Sequence, residues 1–169
     1  SGVGVLPTHA REPILTSTFG TGILIQQAIQ KGAKHLIFGL GGSATIDLGV
    51  GILQSLGFLF LDQNGRELPA FSPEFLKRCK HIQRPLRIPQ VSFTCLCDLR
   101  NPFFGLNGAV PVFGPQKGLQ DEELAAAEGI TKAMVDLLLR KSPRPVLDQP
   151  GFGAAGGIAF GLAQFFPCS

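Results

Sequence analysis

Asp47, Asp98 and Lys117 are the residues of this sequence whose charge and surroundings suit them for chemistry. Asp47 closes the stretch Gly39-Leu40-Gly41-Gly42-Ser43-Ala44-Thr45-Ile46-Asp47, which follows the short apolar run His35-Leu36-Ile37-Phe38. That run reads as a buried strand, and apolar residues at Ile46, Val50, Leu53 and Leu56 predict a helix over 44–56. A chain passing from a strand through glycines into a helix start leaves N–H groups pointing at open space. Those groups and the positive end of the helix dipole favour an anion. Ser43 and Thr45 add hydroxyls that donate to it or cap the helix. Asp47, expected in the first turn, serves there as a capping charge, a metal ligand or a proton acceptor. The competing reading is that the glycines only let helix and sheet approach closely.

Asp98 ends a second apolar run, Val91 to Leu96, and the carboxyl end of a strand is where open α/β sheets carry functional groups. Asn101-Pro102 follows as a turn. Lys117 lies in Phe113-Gly114-Pro115-Gln116-Lys117-Gly118. Between glycine turns, with Gln116 beside it, a Lys reaches phosphate oxygens as a mobile point charge, unless it is simply an exposed loop residue. Thr16-Ser17-Thr18-Phe19-Gly20-Thr21-Gly22 either caps the next helix or supplies further anion donors. Gly153-Ala154-Ala155-Gly156-Gly157 either permits tight helix packing or exposes amides to a ligand.

The elements that must position these groups follow in order. Pro7 and Pro13 keep residues 1–18 largely extended. A helix spans 23–31 with Ile23, Leu24, Ala28 and Ile29 on one face, and stops at Gly32. Residues 57–61 form a strand, and Asp62-Gln63-Asn64-Gly65 a tight turn. Ser72 caps a short helix to about Arg78, with Pro73 in its first position. Residues 81–89 read as a proline-rich connector. Asp121 to Arg140 is a long helix with acids in its first turn and bases in its last. A proline-rich linker, 142–150, leads to a final helix over 158–166. This alternation implies an α/β fold, a layered sheet with mainly parallel strands and flanking helices, Rossmann-like in part.

The 169 residues suit one domain. With 44% hydrophobic and 16% charged residues the chain is core-forming, not disordered. A net charge of +3 with no basic block argues against nucleic acid. The absence of a signal peptide or an unbroken apolar span argues against a membrane and for a soluble, cytoplasmic protein. Its four cysteines lack zinc-type spacing and fit reduced thiols. The sequence starts without Met inside an apolar run and stops on Phe165-Phe166-Pro167-Cys168-Ser169, so residues 1–169 are expected to be an excised part of something longer.

Taken together, five stretches resemble the glycerate kinase family of the bacterial glycerate 2-kinase type. They are Leu15 to Gly22, Gly39 to Asp47, Cys97-Asp98-Leu99-Arg100-Asn101-Pro102, Phe113 to Gly118, and Gly153 to Gly157, in the family's order and at similar intervals. Leu48 departs from the pattern, standing where the family carries a glycine. The resemblance implies one domain of a two-domain kinase, with the remaining domain in cis, transferring the γ-phosphoryl group of ATP to D-glycerate with Mg2+. Of the two products, 2-phosphoglycerate is favoured over 3-phosphoglycerate. The family's amino-terminal segment and the chain beyond Gly157 that completes the other domain are missing, which puts activity of this piece alone in doubt. Oligomers are compatible with the resemblance.

On that basis the amides of Gly41, Gly42 and Ser43, with Ala44 and Thr45, hold phosphate or the glycerate carboxylate. Thr21, Gly22, Gln116, Gly156 and Gly157 join the binding set. Asp47 and Asp98 share two roles, Mg2+ ligand and proton acceptor, without an assignment of which does which. Asn101 orients a neighbour, and Lys117 neutralises developing charge. Two rivals compete with this scheme. One is a dinucleotide-binding redox domain built on Gly39, Gly41, Ala44 and Asp62. The other is a non-catalytic packing or regulatory domain.

Overall fold

The computed structural model of the protein describes Gly4 and residues 12–169; most of the extended amino-terminal stretch read around Pro7 lies outside them. Two strands carry the central loop. β1 (His35–Gly39) and β4 (Ser92–Leu96) pair in parallel, from His35 opposite Ser92 to Gly39 opposite Leu96. Along β1, Leu36 and Phe38 turn toward the core while His35, Ile37 and Gly39 face outward, the alternation expected of a pleated strand. Phe38 stacks on Phe93 with ring centres 5.5 Å apart. The carboxyl-terminal residues add to the far side of β4: the Phe93 N–H donates to the Pro167 carbonyl at 2.8 Å, and the Ser169 N–H to the Phe93 carbonyl at 3.1 Å. β2 (Leu59–Leu61) and β3 (His81–Gln83) form a separate antiparallel pair.

Helices flank this framework, giving the expected α/β arrangement around a parallel pair. α1 (Phe19–Gln30) crosses α2 (Val50–Ser55) at a distance only glycine permits. A Cβ on Gly22 would strike Ser55 Oγ, and one on Gly51 would strike the backbone of Phe19. α3 (Phe75–Arg78) is a single turn, and α4 (Ala109–Lys117) leads directly to the long α5 (Asp121–Lys141). A 3-10 turn at Ala154–Gly156 precedes α6 (Ile158–Ala163). Ile46, Leu48, Ile52, Leu53, Phe58, Phe60, Phe93, Phe103 and Phe160 are essentially sealed from solvent and make one continuous core.

Several elements depart from expectation for identifiable reasons. The helix anticipated over 44–56 begins only at Val50. Upstream of it, backbone groups are satisfied by distant partners: Ile46 N–H by the Pro13 carbonyl, Leu48 N–H by the Gly156 carbonyl, and the Ala44 carbonyl by the Thr16 hydroxyl. Leu24, assigned to the buried face of α1, is exposed; Gly22 and Ile25 face inward instead. Ser72 does not cap α3, because its hydroxyl donates to the Pro69 carbonyl and Glu74 takes the cap position. The connector 81–89 hides β3, too short to show a period, with Ile82 as its single buried residue. The stretch 109–117 is helical although it contains Pro111 and Pro115. Pro111 falls in the first turn, where an N–H has no helical partner to lose. The final helix ends at Ala163, three residues short of the expected stop.

Candidate active site

The register of β1 and β4 decides what can meet. Gly39 lies opposite Leu96, so the two strands deliver their following residues, Gly41-Gly42-Ser43 and Asp98, at the same end of the sheet. The Leu40 N–H donates to the Leu96 carbonyl at 2.7 Å, continuing the pairing one step into the loop. Gly41 and Gly42 are exposed, with open space where a side chain would begin. Gly42 has φ +55, a conformation in which glycine carries no steric cost. Among the described residues their amides donate to no acceptor. Asp98 is exposed as well.

Behind this rim is a cleft of about 200 Å³ lined by Thr18, Thr21, Ser43 and Thr45 together with apolar Phe38, Leu40, Ile52 and Ile158, and by Gly39 and Gly41 of the loop itself. Thr21, Gly41, Ser43 and Thr45 therefore come together as anticipated for one binding region.

Lys117 is neither mobile nor a loop residue. It is the last residue of α4, 3% exposed. Its Nζ donates to the Thr45 carbonyl at 2.6 Å and to Ser43 Oγ at 3.4 Å. Burial pushes its pKa down to about 8, with the charge of Asp47 pulling the other way. Gly118, at φ +111, ends the helix and turns the chain away.

Asp47 is also buried, and it lies ahead of α2, not in its first turn. Oδ2 accepts the Thr18 N–H at 2.7 Å, the Thr18 hydroxyl at 2.8 Å and the Gly51 N–H at 3.3 Å, while Oδ1 accepts the Gly49 N–H at 3.2 Å. One carboxylate thus satisfies orphan amides at the starts of both α1 and α2. Burial holds its pKa above the usual carboxylate value against the opposing effect of these hydrogen bonds. Thr18, read only as part of the Thr16–Gly22 stretch of cap or anion donors, completes the arrangement by accepting the Ile52 N–H at 3.1 Å.

The other candidates separate from the cleft. Gly22 is a packing position between α1 and α2. Ala44 is buried, its carbonyl held by Thr16. A Cβ on Gly156 would collide with the Thr45 carbonyl, and one on Gly157 would collide with Leu48 and Phe103. These two glycines press the 3-10 turn against the 44–48 loop. Asn101 fastens its own loop, donating to the Asn107 carbonyl at 2.8 Å and accepting the Gly153 N–H on its carbonyl at 2.9 Å. Gln116 is exposed on α4. Asp148, unmarked by any motif, accepts the Phe103 and Phe104 N–H groups at 2.8 and 2.9 Å.

Two chemical expectations do not fit this geometry. Among the described residues no group of three or more His, Cys, Asp or Glu is placed to hold a metal, and the oxygens of Asp47 are taken up by donors of the chain itself. Asp47 is therefore not open to a metal ion, and Asp98 is the carboxylate of the pair left exposed. Asp62, the acid of the dinucleotide pattern, spends Oδ1 on the Asn64 and Arg66 N–H groups of its own turn at 2.8 and 3.0 Å.

The comparisons with known proteins agree with the arrangement of motifs. The curated glycerate kinase of Haemophilus influenzae is 38% identical over 164 residues, covering 96% of this chain and 43% of the relative. The glycerate 2-kinase of Escherichia coli K12 is 36% identical over 168 residues, covering 98% of this chain and 44% of that protein. A solved structure of a glycerate kinase 2 candidate from Salmonella typhimurium LT2 superposes with a TM-score of 0.87 at 34% identity, covering all of this chain and 46% of the other. The chain spans less than half the length of these relatives. Among the described residues no helix is long and apolar enough to cross a membrane. The family model for the glycerate kinase family matches residues 1–169, and the chain belongs to that family.

Proposed function

We propose that this chain is the portion of a glycerate kinase that carries the acceptor end of the reaction, transferring the γ-phosphoryl group of ATP to a hydroxyl of D-glycerate. The observation that supports the reading best is the convergence at one sheet end of the Gly41–Gly42 rim, the hydroxyl-lined cleft and Asp98, with Lys117 directly behind. Phosphoryl transfer asks a protein chiefly for positioning and charge stabilisation. The glycine amides receive phosphate oxygens at the rim. The substrate hydroxyl oxygen attacks the γ-phosphorus, the bond to the bridging oxygen breaks, ADP departs with that electron pair, and Asp98 takes the hydroxyl proton. Lys117 and Asp47 hold the loop from opposite sides and so fix where those amides point.

The name of the Escherichia coli relative favours 2-phosphoglycerate as product. The chain spans less than half the length of its relatives, which supports reading a remaining domain, in cis, as the other wall of the site. The test is ADP release on mixing the gene product that carries this chain with ATP and D-glycerate, with the phosphorylated position read by 31P NMR. Absence of glycerate-dependent ADP release from folded protein would overturn the reading.

A further inference from the structure

Two of the free cysteines meet where the carboxyl-terminal segment adds to β4. Phe93 and Cys168 stand opposite one another there, in parallel register. Residues paired across strands share a face, and so does the residue two further along a strand. Cys168 and Cys95 therefore project to the same side as the sealed Phe93 ring, and their sulfurs lie 3.7 Å apart across 73 positions of sequence. Backbone bonds hold that approach from both ends: the Phe93 N–H donates to the Pro167 carbonyl, and the Cys95 N–H to the Ser169 carbonyl at 2.6 Å. Sulfurs joined in a disulfide stand about 2.0 Å apart. Small rotations about the two Cα–Cβ bonds supply that closure without moving either strand.

The two sulfurs are not equivalent. With the Cys95 thiol donating to it, the Cys168 sulfur carries negative charge more readily than an ordinary thiol. That hydrogen bond holds the Cys168 pKa down against the effect of burial, and it pushes the Cys95 pKa up. Cys168 is half-buried and lines a surface cleft with Arg144, Gln149 and Phe152, which gives a small solute a way in. Cys97 is exposed but engaged elsewhere, its thiol donating to the Leu99 carbonyl at 3.5 Å.

We propose that Cys95 and Cys168 form a reversible oxidation site, at which a hydroperoxide converts the two thiols into a disulfide that staples the carboxyl-terminal segment to β4. The Cys168 thiolate attacks a peroxide oxygen: the S–O bond forms, the O–O bond breaks, and hydroxide departs and takes up a proton as water. The Cys95 sulfur then attacks the Cys168 sulfur. The S–S bond forms, the S–O bond breaks, and the Cys95 proton leaves with the hydroxyl as a second water. Two thiols lose two electrons, and one peroxide gains them. The site is independent of the kinase reading.

The test treats the reduced gene product that carries this chain with hydrogen peroxide, blocks the remaining thiols with iodoacetamide, and maps unreduced peptides by tandem mass spectrometry. The expected product joins Cys95 to Cys168, leaves Cys79 and Cys97 alkylated, and disappears with dithiothreitol. Because the bond closes a long loop, the oxidised 169-residue protein should melt on the order of 10 °C above the reduced one. Cys168→Ser is expected to abolish both the link and the gain in Tm, and Cys97→Ser to keep both. In Cys95→Ser, dimedone should trap a sulfenic acid on Cys168. Failure of the link to form, a link through Cys97 instead, or oxidation only to sulfinic or sulfonic acid would overturn the site. A link that leaves Tm unchanged would overturn the staple, and dimedone capture that misses Cys168 would overturn its role as the attacking thiolate.

Discussion

Lys117 Nζ and the Thr45 carbonyl oxygen are 2.6 Å apart, joining the last residue of α4 to the loop that follows β1 across 72 positions of sequence. Asp47 grips the same loop from the side of α1 and α2. Two buried, opposite charges that do not touch each other therefore fix the conformation of residues 43–51.

The cost of burying Lys117 has a sign that can be measured. Its pKa is about 8 in the folded protein and 10.5 as an ordinary lysine. Between those values the unfolded chain binds the proton that the folded chain has lost, so stability rises with pH across the window. Below pH 8 both states are protonated and the folded one carries the desolvation penalty. The full gain is up to about 3 kcal/mol, at 1.36 kcal/mol per pKa unit. Urea denaturation at pH 7.5 and pH 10 should show this gain in the wild type and not in Lys117→Met. Identical pH dependence in the two proteins would remove the argument.

Asp47 should matter to stability before it matters to anything else. Asp47→Ala strands the buried N–H groups of Thr18, Gly49 and Gly51 together. An unsatisfied buried donor costs about 1–3 kcal/mol, so a loss on the order of 3 kcal/mol or more is expected. At about 2–4 °C per kcal/mol for a domain of this size, calorimetry should find a fall in Tm on the order of 10 °C. A variant that melts with the wild type would mean the carboxylate is not the clamp described.

One stretch of the core was legible from spacing alone: Ile46, Val50, Leu53 and Leu56 are all core residues, as their period implies. Their backbone was not legible. Residues 44–49 donate to the Pro13 and Gly156 carbonyls and accept from the Thr16 hydroxyl, contacts between distant segments that leave no local periodicity. The same limit hid α4, where two prolines and a glycine read as loop, and with it the burial of Lys117. Motif order put Thr21, Gly41, Ser43 and Thr45 in one set, and these four do line one cleft, because a strand-end loop gathers neighbours in sequence into neighbours in space. Motif membership alone could not separate Gly41, at the open rim, from Gly156, which is pressed against the Thr45 carbonyl.

Leu48 offers a test of what the family's glycine does at that position. It is fully buried with φ +56, a left-handed conformation that costs a side-chain-bearing residue about 1–2 kcal/mol. Leu48→Gly relieves that strain but empties a core site, which costs about 2–5 kcal/mol for loss of a buried leucine side chain. The cavity term wins, and a net loss of about 2 kcal/mol is expected in urea. A stabilised variant would show that strain, not burial, dominates at this position.

Thiol chemistry should report the packing independently. Cys97 is exposed, whereas Cys79 is buried and its thiol is pushed up to about 11 by that burial. Cys95 and Cys168 lie with their sulfurs 3.7 Å apart between β4 and the carboxyl-terminal segment, and the hydrogen bond with Cys168 together with burial holds the Cys95 thiol far above its ordinary pKa. The thiolate is the nucleophile, so iodoacetamide at pH 8 should label Cys97 first and Cys79 and Cys95 only slowly. Mass spectrometry of timed aliquots reads the order directly. Early labelling of Cys79 would mean that the face beneath α3 opens readily.

Asp98 is the residue on which the proposed chemistry turns, and it is the easiest to change without harming the fold. It lies two residues beyond β4, exposed, and among the described residues no donor reaches it. Asp98→Asn should therefore leave the melting temperature unchanged. In the gene product that carries this chain, loss of a positioned proton acceptor should lower kcat by about 10²–10⁴-fold. KM for ATP should move little, because the amide keeps the volume of the carboxylate and the glycine rim is untouched. Equal, near-normal kcat in wild type and Asp98→Asn would assign the proton to another group and remove Asp98 from the mechanism.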